Sequence, residues 1–182
     1  MQLKDYFPNL NKKYNKIFFS GIAFDSSKVK KDNIFFAIKG NKFDGNNYID
    51  NAIKKGAKII ISEKKITKKR KNIVFLYSPN VRKLLAKISY KILDKKPKKL
   101  VAVTGTNGKS SIADFYYQIL NLNLKKVASI GTLGVRFAGK NQILSNTTLD
   151  PVQLSSILNK LRKKKIDYVI MEASSHGLKQ NR

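Results

Sequence analysis

The sequence predicts an α/β protein: a small N-terminal α/β domain followed by a P-loop-type domain built on a parallel sheet. Three observations carry this expectation. Short apolar runs of β-forming residues alternate with stretches of helical period along the whole chain. A polar, proline-bearing stretch, Asp94 to Lys99 (DKKPKK), interrupts that rhythm near the middle, so domains are expected over residues 1–97 and 98–182. Directly after it, Val101 to Ser111 (VAVTGTNGKSS) runs from an apolar strand through a Gly-rich turn into a helical pattern beginning at Lys109.

In the first part, Lys16 to Phe19 is a short apolar run closed by Ser20-Gly21. Asn33 to Ile38 reads as a strand, followed by Lys39-Gly40 and the Asp44-Gly45 turn signal. Asn46 to Lys55 places Tyr48, Ile49, Ala52 and Ile53 on one helical face, and Gly56 stops it. Lys58 to Ser62 and Asn72 to Tyr77 are buried-type strands. Asn80 to Leu93 is a helix, with Val81, Leu84, Leu85, Ile88 and Ile92 in register.

The second part repeats the rhythm. Leu100 to Thr104 is a strand, Lys109 to Leu122 a helix, and Lys126 to Ile130 a second strand ending at Gly131. Thr132 to Thr148 is read as a long connection containing Gly134 and Gly139. Pro151 suits the first turn of a helix, with Asp150 as its N-cap and Val152, Leu154, Ile157, Leu158 and Leu161 on its apolar side. Ile166 to Met171 is a third strand, with Glu172 at its carboxyl end, where ligands of open α/β sheets gather.

Composition narrows the class. Hydrophobic content of 42% supports a packed core. The chain has no cysteine, which excludes disulfides and thiolate metal sites. Its start lacks the apolar core of a signal peptide, and no apolar run approaches the ~20 residues of a membrane span. A soluble cytoplasmic protein with no membrane partner is expected. The formal charge of +27 invites a nucleic-acid reading. Lysine carries nearly all of it, however, and is scattered through every segment; arginine occurs only at Arg70, Arg82, Arg136, Arg162 and Arg182. Phosphate forks and base readout favour arginine. A Lys-rich bias with no nucleic-acid partner is the expectation.

The chemistry concentrates in three segments. In the first, Gly105 and Gly108 allow a tight turn that aims backbone N–H groups at one point, and the following helix adds its positive end. Thr106, Asn107 and Ser111 complete the loop, Lys109 supplies a charge for the outer phosphates of a nucleoside triphosphate such as ATP, and Ser110 supplies a hydroxyl for Mg²⁺. The spacing is G-x-x-G-K-S, with Val103 where the general pattern has its first Gly. A glycine turn that merely precedes Lys-Ser is the plainer alternative. The second segment is Ser145 to Thr148, whose Asn146, Thr147 and Thr148 offer donors to an anionic or polyol ligand, or else form a capping cluster. The third is Glu172 to His176. Glu172 is a hard oxygen ligand that pairs with Ser110 for Mg²⁺, or a surface carboxylate at a strand end. His176, the lone histidine, is either structural or positioned to orient phosphates or move a proton. Arg182 is a candidate fork for a carboxylate or phosphate.

TGTNGKSS, SNTTLDP and MEASSHGLKQNR, with Asp25-Ser26-Ser27 through Asn33-Ile-Phe-Phe-Ala, Gly40 and Asp44-Gly45, resemble the motifs of the Mur ligase family over nearly the whole chain. The resemblance is strongest to the branch that adds the third residue, usually meso-diaminopimelate or lysine, to UDP-N-acetylmuramoyl-L-alanyl-D-glutamate. It implies ATP at Gly105 to Ser111 and Mg²⁺ at Ser110 and Glu172. It implies the uridine nucleotide at Ser26, and the UDP-muramoyl dipeptide at Asn146, Thr147, Thr148, Ser175, Gln180 and Arg182. Lys109 and His176 are the expected catalytic residues, and a monomer is expected. The implied reaction turns a D-glutamate carboxylate into an acyl phosphate, which the amine of a diamino acid then displaces.

Ser27 stands where the motif has Arg, Ser110-Ser111 replaces Thr-Thr, and Ala173 replaces Val. Members of the family continue well beyond this length, with the rest of the central sheet, a carbamylated lysine and a third domain. The resemblance therefore implies an incomplete central domain and a chain that binds nucleotide poorly and does not complete catalysis alone. Two rivals remain: a sister ligase of the alanine-adding or folylpolyglutamate type, and a basic ATP-dependent nucleic-acid-binding protein.

Overall fold

The computed structural model describes residues 1–8, 10–40, 43–67, 70–93, 95–144 and 149–180. The chain divides into two compact units, Met1–Lys91 and Ile92–Arg182. This break lies a few residues before the polar stretch in which the sequence places its boundary.

The first unit contains α1 (Leu3–Tyr6), β1 (Ile22–Ala23), β2 (Asn33–Ala37), α2 (Ile49–Lys54), β3 (Ala57–Ser62), β4 (Val74–Tyr77) and α3 (Val81–Lys91). Its four strands pair in sequence order, all parallel. β2 explains why its sequence reads as one unbroken apolar run. Successive side chains point to opposite faces, and both faces are covered. Phe35 and Ala37 pack with Ala52 and Ile60, while Ile34, Phe36, Ile59 and Ile61 are also fully buried. α3 packs on β2 and buries Val81, Leu85 and Ile88.

The apolar run Lys16 to Phe19 contributes one antiparallel bridge, Phe18 to Gln2, and β1 starts beyond it. One local expectation changes. The helix expected from Asn46 begins instead as a 3₁₀ turn, Gly45–Tyr48, before α2. Asp44 causes this, because its Oδ1 accepts from the Asn46 N–H at 2.9 Å and from Asn46 Nδ2 at 2.6 Å. Ser62 then donates to Asn46 Oδ1 at 2.7 Å, tying the turn to the end of β3.

The second unit contains β5 (Lys99–Val103), α4 (Lys109–Leu122), β6 (Val127–Gly131), β7 (Gly134–Phe137), β8 (Lys140–Gln142), α5 (Pro151–Lys163), β9 (Tyr168–Glu172) and α6 (Ser175–Lys179). The strand order is β5-β9-β6-β7-β8. β5 and β6 flank β9 in parallel, which aligns their carboxyl ends: Val103 sits opposite Glu172, and Ile130 opposite Met171. The long connection expected from Thr132 to Thr148 instead holds β7 and β8, which extend the sheet antiparallel to β6. Its turns rest on left-handed backbone at Gly134 (φ 92°), Ala138 (φ 48°) and Gly139 (φ 71°). Ala138 gives none of the usual Asn or Asp signal for such a turn, so the hairpin is hidden in the sequence.

α5 closes one face of this sheet, burying Leu158 and Leu161 with Ala128, Ile130, Val135 and Val169. α4 packs against β5, β6 and β9 and buries Ala113 and Tyr117. The Arg136 guanidinium lies 4.7 Å from the Tyr117 ring centre and pairs with Asp114. The α4 stripe Ile112, Phe115, Ile119 and Leu122 is exposed, as are Leu100 and Val101 of β5.

Two predictions follow from the capping groups. Asp150 caps α5 by accepting from the Val152 and Gln153 N–H groups at 2.9 and 2.8 Å. Asp150→Ala is expected to lower stability by about 1 kcal/mol in urea unfolding, with the slope of the transition unchanged. Asp44 is held below its usual carboxylate range chiefly by the backbone and side-chain bonds from Asn46; burial opposes them, and Lys64 adds a smaller lowering. A carboxyl whose folded pKa is depressed stabilises above its unfolded value and loses that contribution as pH falls through its folded value. The urea midpoint should therefore fall as pH drops below about 4, and Asp44→Asn should make that fall shallower.

Candidate functional site

β5 delivers the chain at Val103 into the loop Thr104 to Gly108, and α4 starts at Lys109. Gly105 (φ 147°) and Gly108 (φ 78°) both lie in backbone regions that L side chains rarely adopt. A Cβ at Gly108 would meet nothing within 4 Å, so conformation, not space, calls for glycine there. Gly108 is the N-cap of α4 and brings no capping side chain. The first N–H groups of the helix are thus free of a side-chain cap, as an anion site at a helix N-terminus requires. Thr106 and Asn107 are exposed, and Ser111 faces solvent on the first turn of α4.

The Lys109 side chain arches back over its own loop, and Nζ donates to the carbonyls of Gly105 (2.7 Å) and Thr106 (3.0 Å). The Ser110 hydroxyl points the other way, into the sheet edge, and donates to Glu172 Oε2 at 2.9 Å. The parallel pairing of β5 with β9 makes this meeting possible across 62 residues of sequence.

Glu172 is only 4% exposed. A carboxylate that deep is costly unless it accepts hydrogen bonds. Thr132 supplies two: its N–H donates to Oε1 at 2.9 Å and its hydroxyl to Oε2 at 3.1 Å. Gly131 makes the space. A Cβ there would sit 2.5 Å from Glu172 Cδ and 2.6 Å from Cγ, closer than real Cβ atoms approach. Sequence reasoning missed both residues. The available signal was the Gly131-Thr-Leu-Gly134 pattern directly after a strand, which is a tight hairpin turn at the ligand-bearing end of the sheet.

The donor set suits a hard cation. A hydroxyl and a carboxylate oxygen lie side by side beside the Gly105–Gly108 loop, a donor pair that fits the preference of Mg²⁺ for one or two protein oxygens, with phosphate and water completing its shell. Among the described residues no group of three or more His, Cys, Asp or Glu side chains gathers to hold a metal without such help.

The remaining expected residues divide. Ser174 caps α6 by accepting from the Gly177 N–H at 3.0 Å, and Ser175 and His176 are exposed on the first turn. Gln180 Nε2 lies 2.7 Å from His176 Nε2. Ser26 opens a 3₁₀ turn of the first unit, capped by Asp25, which accepts from the Ser27 N–H. Asn146, Thr147, Thr148 and Arg182 lie outside the described residues.

An α/β unit whose parallel strands β5, β9 and β6 carry a glycine loop, a loop lysine and an uncapped helix start at their carboxyl ends has the architecture of a phosphate-loop protein. Comparison with known families goes further. The Mur ligase family catalytic-domain model matches residues 19–93, and the Mur ligase middle-domain model matches residues 103–182. The chain belongs to the Mur ligase family. It is 38% identical over 180 residues to the UDP-N-acetylmuramoyl-L-alanyl-D-glutamate–2,6-diaminopimelate ligase of Fusobacterium nucleatum, covering 99% of this chain and 36% of that protein. It is 39% identical to the enzyme of the same name from Rickettsia prowazekii, covering 96% of this chain and 37% of that protein. A solved structure of a ligase with that name superposes with a TM-score of 0.83 at 28% identity, over 100% of this chain and 37% of the other. A MurF ligase from Thermotoga maritima, solved in complex with ADP, gives 0.56 at 26% identity, over 85% of this chain and 32% of the other. The chain thus spans little more than a third of the length of the relatives it matches.

The backbone at Gly108 gives a direct test. Gly108→Ala places a Cβ at positive φ and should cost about 1–2 kcal/mol in chemical unfolding, whereas Gly108→Asn should cost less.

Proposed function

We propose that this chain forms the first two domains of an ATP-dependent ligase that adds diaminopimelate to UDP-N-acetylmuramoyl-L-alanyl-D-glutamate in cytoplasmic peptidoglycan synthesis. Residues 1–97 are assigned the uridine nucleotide, with Ser26 as a contact. Residues 98–182 are assigned ATP, at Gly105 to Ser111. The observation that carries the reading is the Ser110–Glu172 contact of 2.9 Å beneath the Lys109 loop. Diaminopimelate is chosen because it stands in the names of relatives 38–39% identical to this chain.

On this reading Lys109 leaves the Gly105 and Thr106 carbonyls and turns to the outer phosphates, while the loop N–H groups hold their oxygens. Bound Mg²⁺ supplies charge neutralisation for phosphoryl transfer, and Ser110 and Glu172 are the residues that would hold it. The D-glutamate carboxylate oxygen attacks the γ-phosphorus and the bond to the ADP oxygen breaks. The diaminopimelate amine then attacks the acyl carbon, and phosphate leaves. Asn146, Thr147, Thr148, Ser175, Gln180 and Arg182 are assigned to the muramoyl dipeptide, and His176 to orienting phosphate or moving a proton.

Two titrations test this. Calorimetry should show saturable ATP binding that strengthens with Mg²⁺ and weakens about tenfold or more in Lys109→Met, the loss of one charge-assisted contact. The UDP-muramoyl dipeptide should also bind saturably and be displaced by UDP. Failure of ATP to bind with Mg²⁺ present, or of UDP to compete, would overturn the reading.

A further inference from the structure

Glu172 does not hold its position through Ser110 alone. Both of its oxygens are held by one residue on a neighbouring strand's turn: Thr132 N–H on Oε1 and Thr132 Oγ1 on Oε2. Ser110 reaches only Oε2. Two points of attachment from one residue fix the carboxylate's rotation about its last bond, which a single hydrogen bond does not. Gly131, next in the chain, is where the carboxylate lies, and any side chain there would push it out. Glu172 itself is buried, whereas Thr132 is exposed. A buried carboxylate is therefore aimed by a residue at the surface.

We propose that Thr132 is a positioning residue that sets how Glu172 presents its oxygen to a Mg²⁺-bound nucleotide, with Gly131 as the space that permits it. The inference rests on the nucleotide reading above and deepens it. Without the Thr132 hydroxyl, Oε1 keeps the Thr132 backbone N–H while Oε2 is held by Ser110 alone, so the direction of Oε2 is less closely fixed. Its Oε2 then has to be recruited from several orientations when the metal arrives. Residues that orient a metal's ligands typically matter about 10–100-fold for metal affinity. The loss should therefore fall on the metal-dependent part of nucleotide binding and spare the part made by the loop N–H groups and Lys109.

The experiment measures the dissociation constant of ATP for the 182-residue chain in excess EDTA and in excess MgCl₂, for the parent, Thr132→Val, Thr132→Ser and Gly131→Ala. Valine keeps the shape and removes the hydroxyl; serine restores it. Thr132→Val takes one donor from a buried carboxylate, so its urea midpoint should fall somewhat below the parent's, while Thr132→Ser should stay near it; binding is compared at urea-free conditions where all variants are folded. The parent should bind ATP more tightly with Mg²⁺ than with EDTA. In Thr132→Val the EDTA value should be unchanged and the gain from Mg²⁺ should fall about tenfold. Thr132→Ser should recover most of it. Gly131→Ala should lose the gain as well. Direct Mn²⁺ binding in the presence of ATP, read by electron paramagnetic resonance, should follow the same order without reference to turnover. A full Mg²⁺ gain in Thr132→Val, or an equal loss with and without metal, overturns the assignment of Thr132 alone. Absence of any ATP binding by the parent overturns the nucleotide reading and this assignment together.

Discussion

A carboxylate withdrawn from water has to be matched by donors, and the second unit is arranged around one that is. Glu172 accepts from Ser110 and twice from Thr132. Those donors come from two separate stretches, the start of α4 and the turn after β6, so the carboxylate at the end of β9 ties together the corner of the sheet from which the Gly105–Gly108 loop springs. The central position of β9 is what permits this. Flanked in parallel by β5 and β6, its last residue faces the carboxyl ends of both neighbours. The same arrangement explains why Glu172 can be buried without being wasted. Its burial is offset by hydrogen bonds, and the cluster of oxygens that results is what a phosphate-bound Mg²⁺ seeks.

Much of this was legible in the sequence, and the parts that were share a cause. The loop Gly105 to Ser111, the N-cap Asp150 before Pro151, and the strand ending in Glu172 each depend on a few neighbouring residues. Local chemistry reports local geometry. β2 and β3 read clearly for the same reason, since strands buried on both faces become continuous apolar runs. What stayed hidden depends on pairing across distance. β7 and β8 are short, their turn uses Ala138 where a signal residue is usual, and nothing in Thr132 itself says that it will meet a carboxylate 40 residues later. The His176–Gln180 contact is of the local kind, four residues apart on α6, with His176 exposed.

The two units bury their apolar residues differently. In the first, β2 and β3 are enclosed and the unit closes on itself. In the second, β5 has the Val-Ala-Val composition of an interior strand but lies at the edge of the described sheet, and beside it α4 carries a stripe of four large apolar side chains in solvent. The Gly105–Gly108 loop joins these two elements, and Ser110 at its helical end meets Glu172 of β9.

The loop at Gly105, the turn at Thr132 and the end of β9 are proposed to take one ligand together. Backbone amide NMR of the chain titrated with ADP and Mg²⁺ puts this to the test. Concerted shifts are expected at Gly105 to Ser111, at Thr132 and at Glu172 to Ala173, with the last two groups moving only when Mg²⁺ is present. Shifts confined to the loop, with Thr132 and Glu172 silent at saturating Mg²⁺, would contradict it.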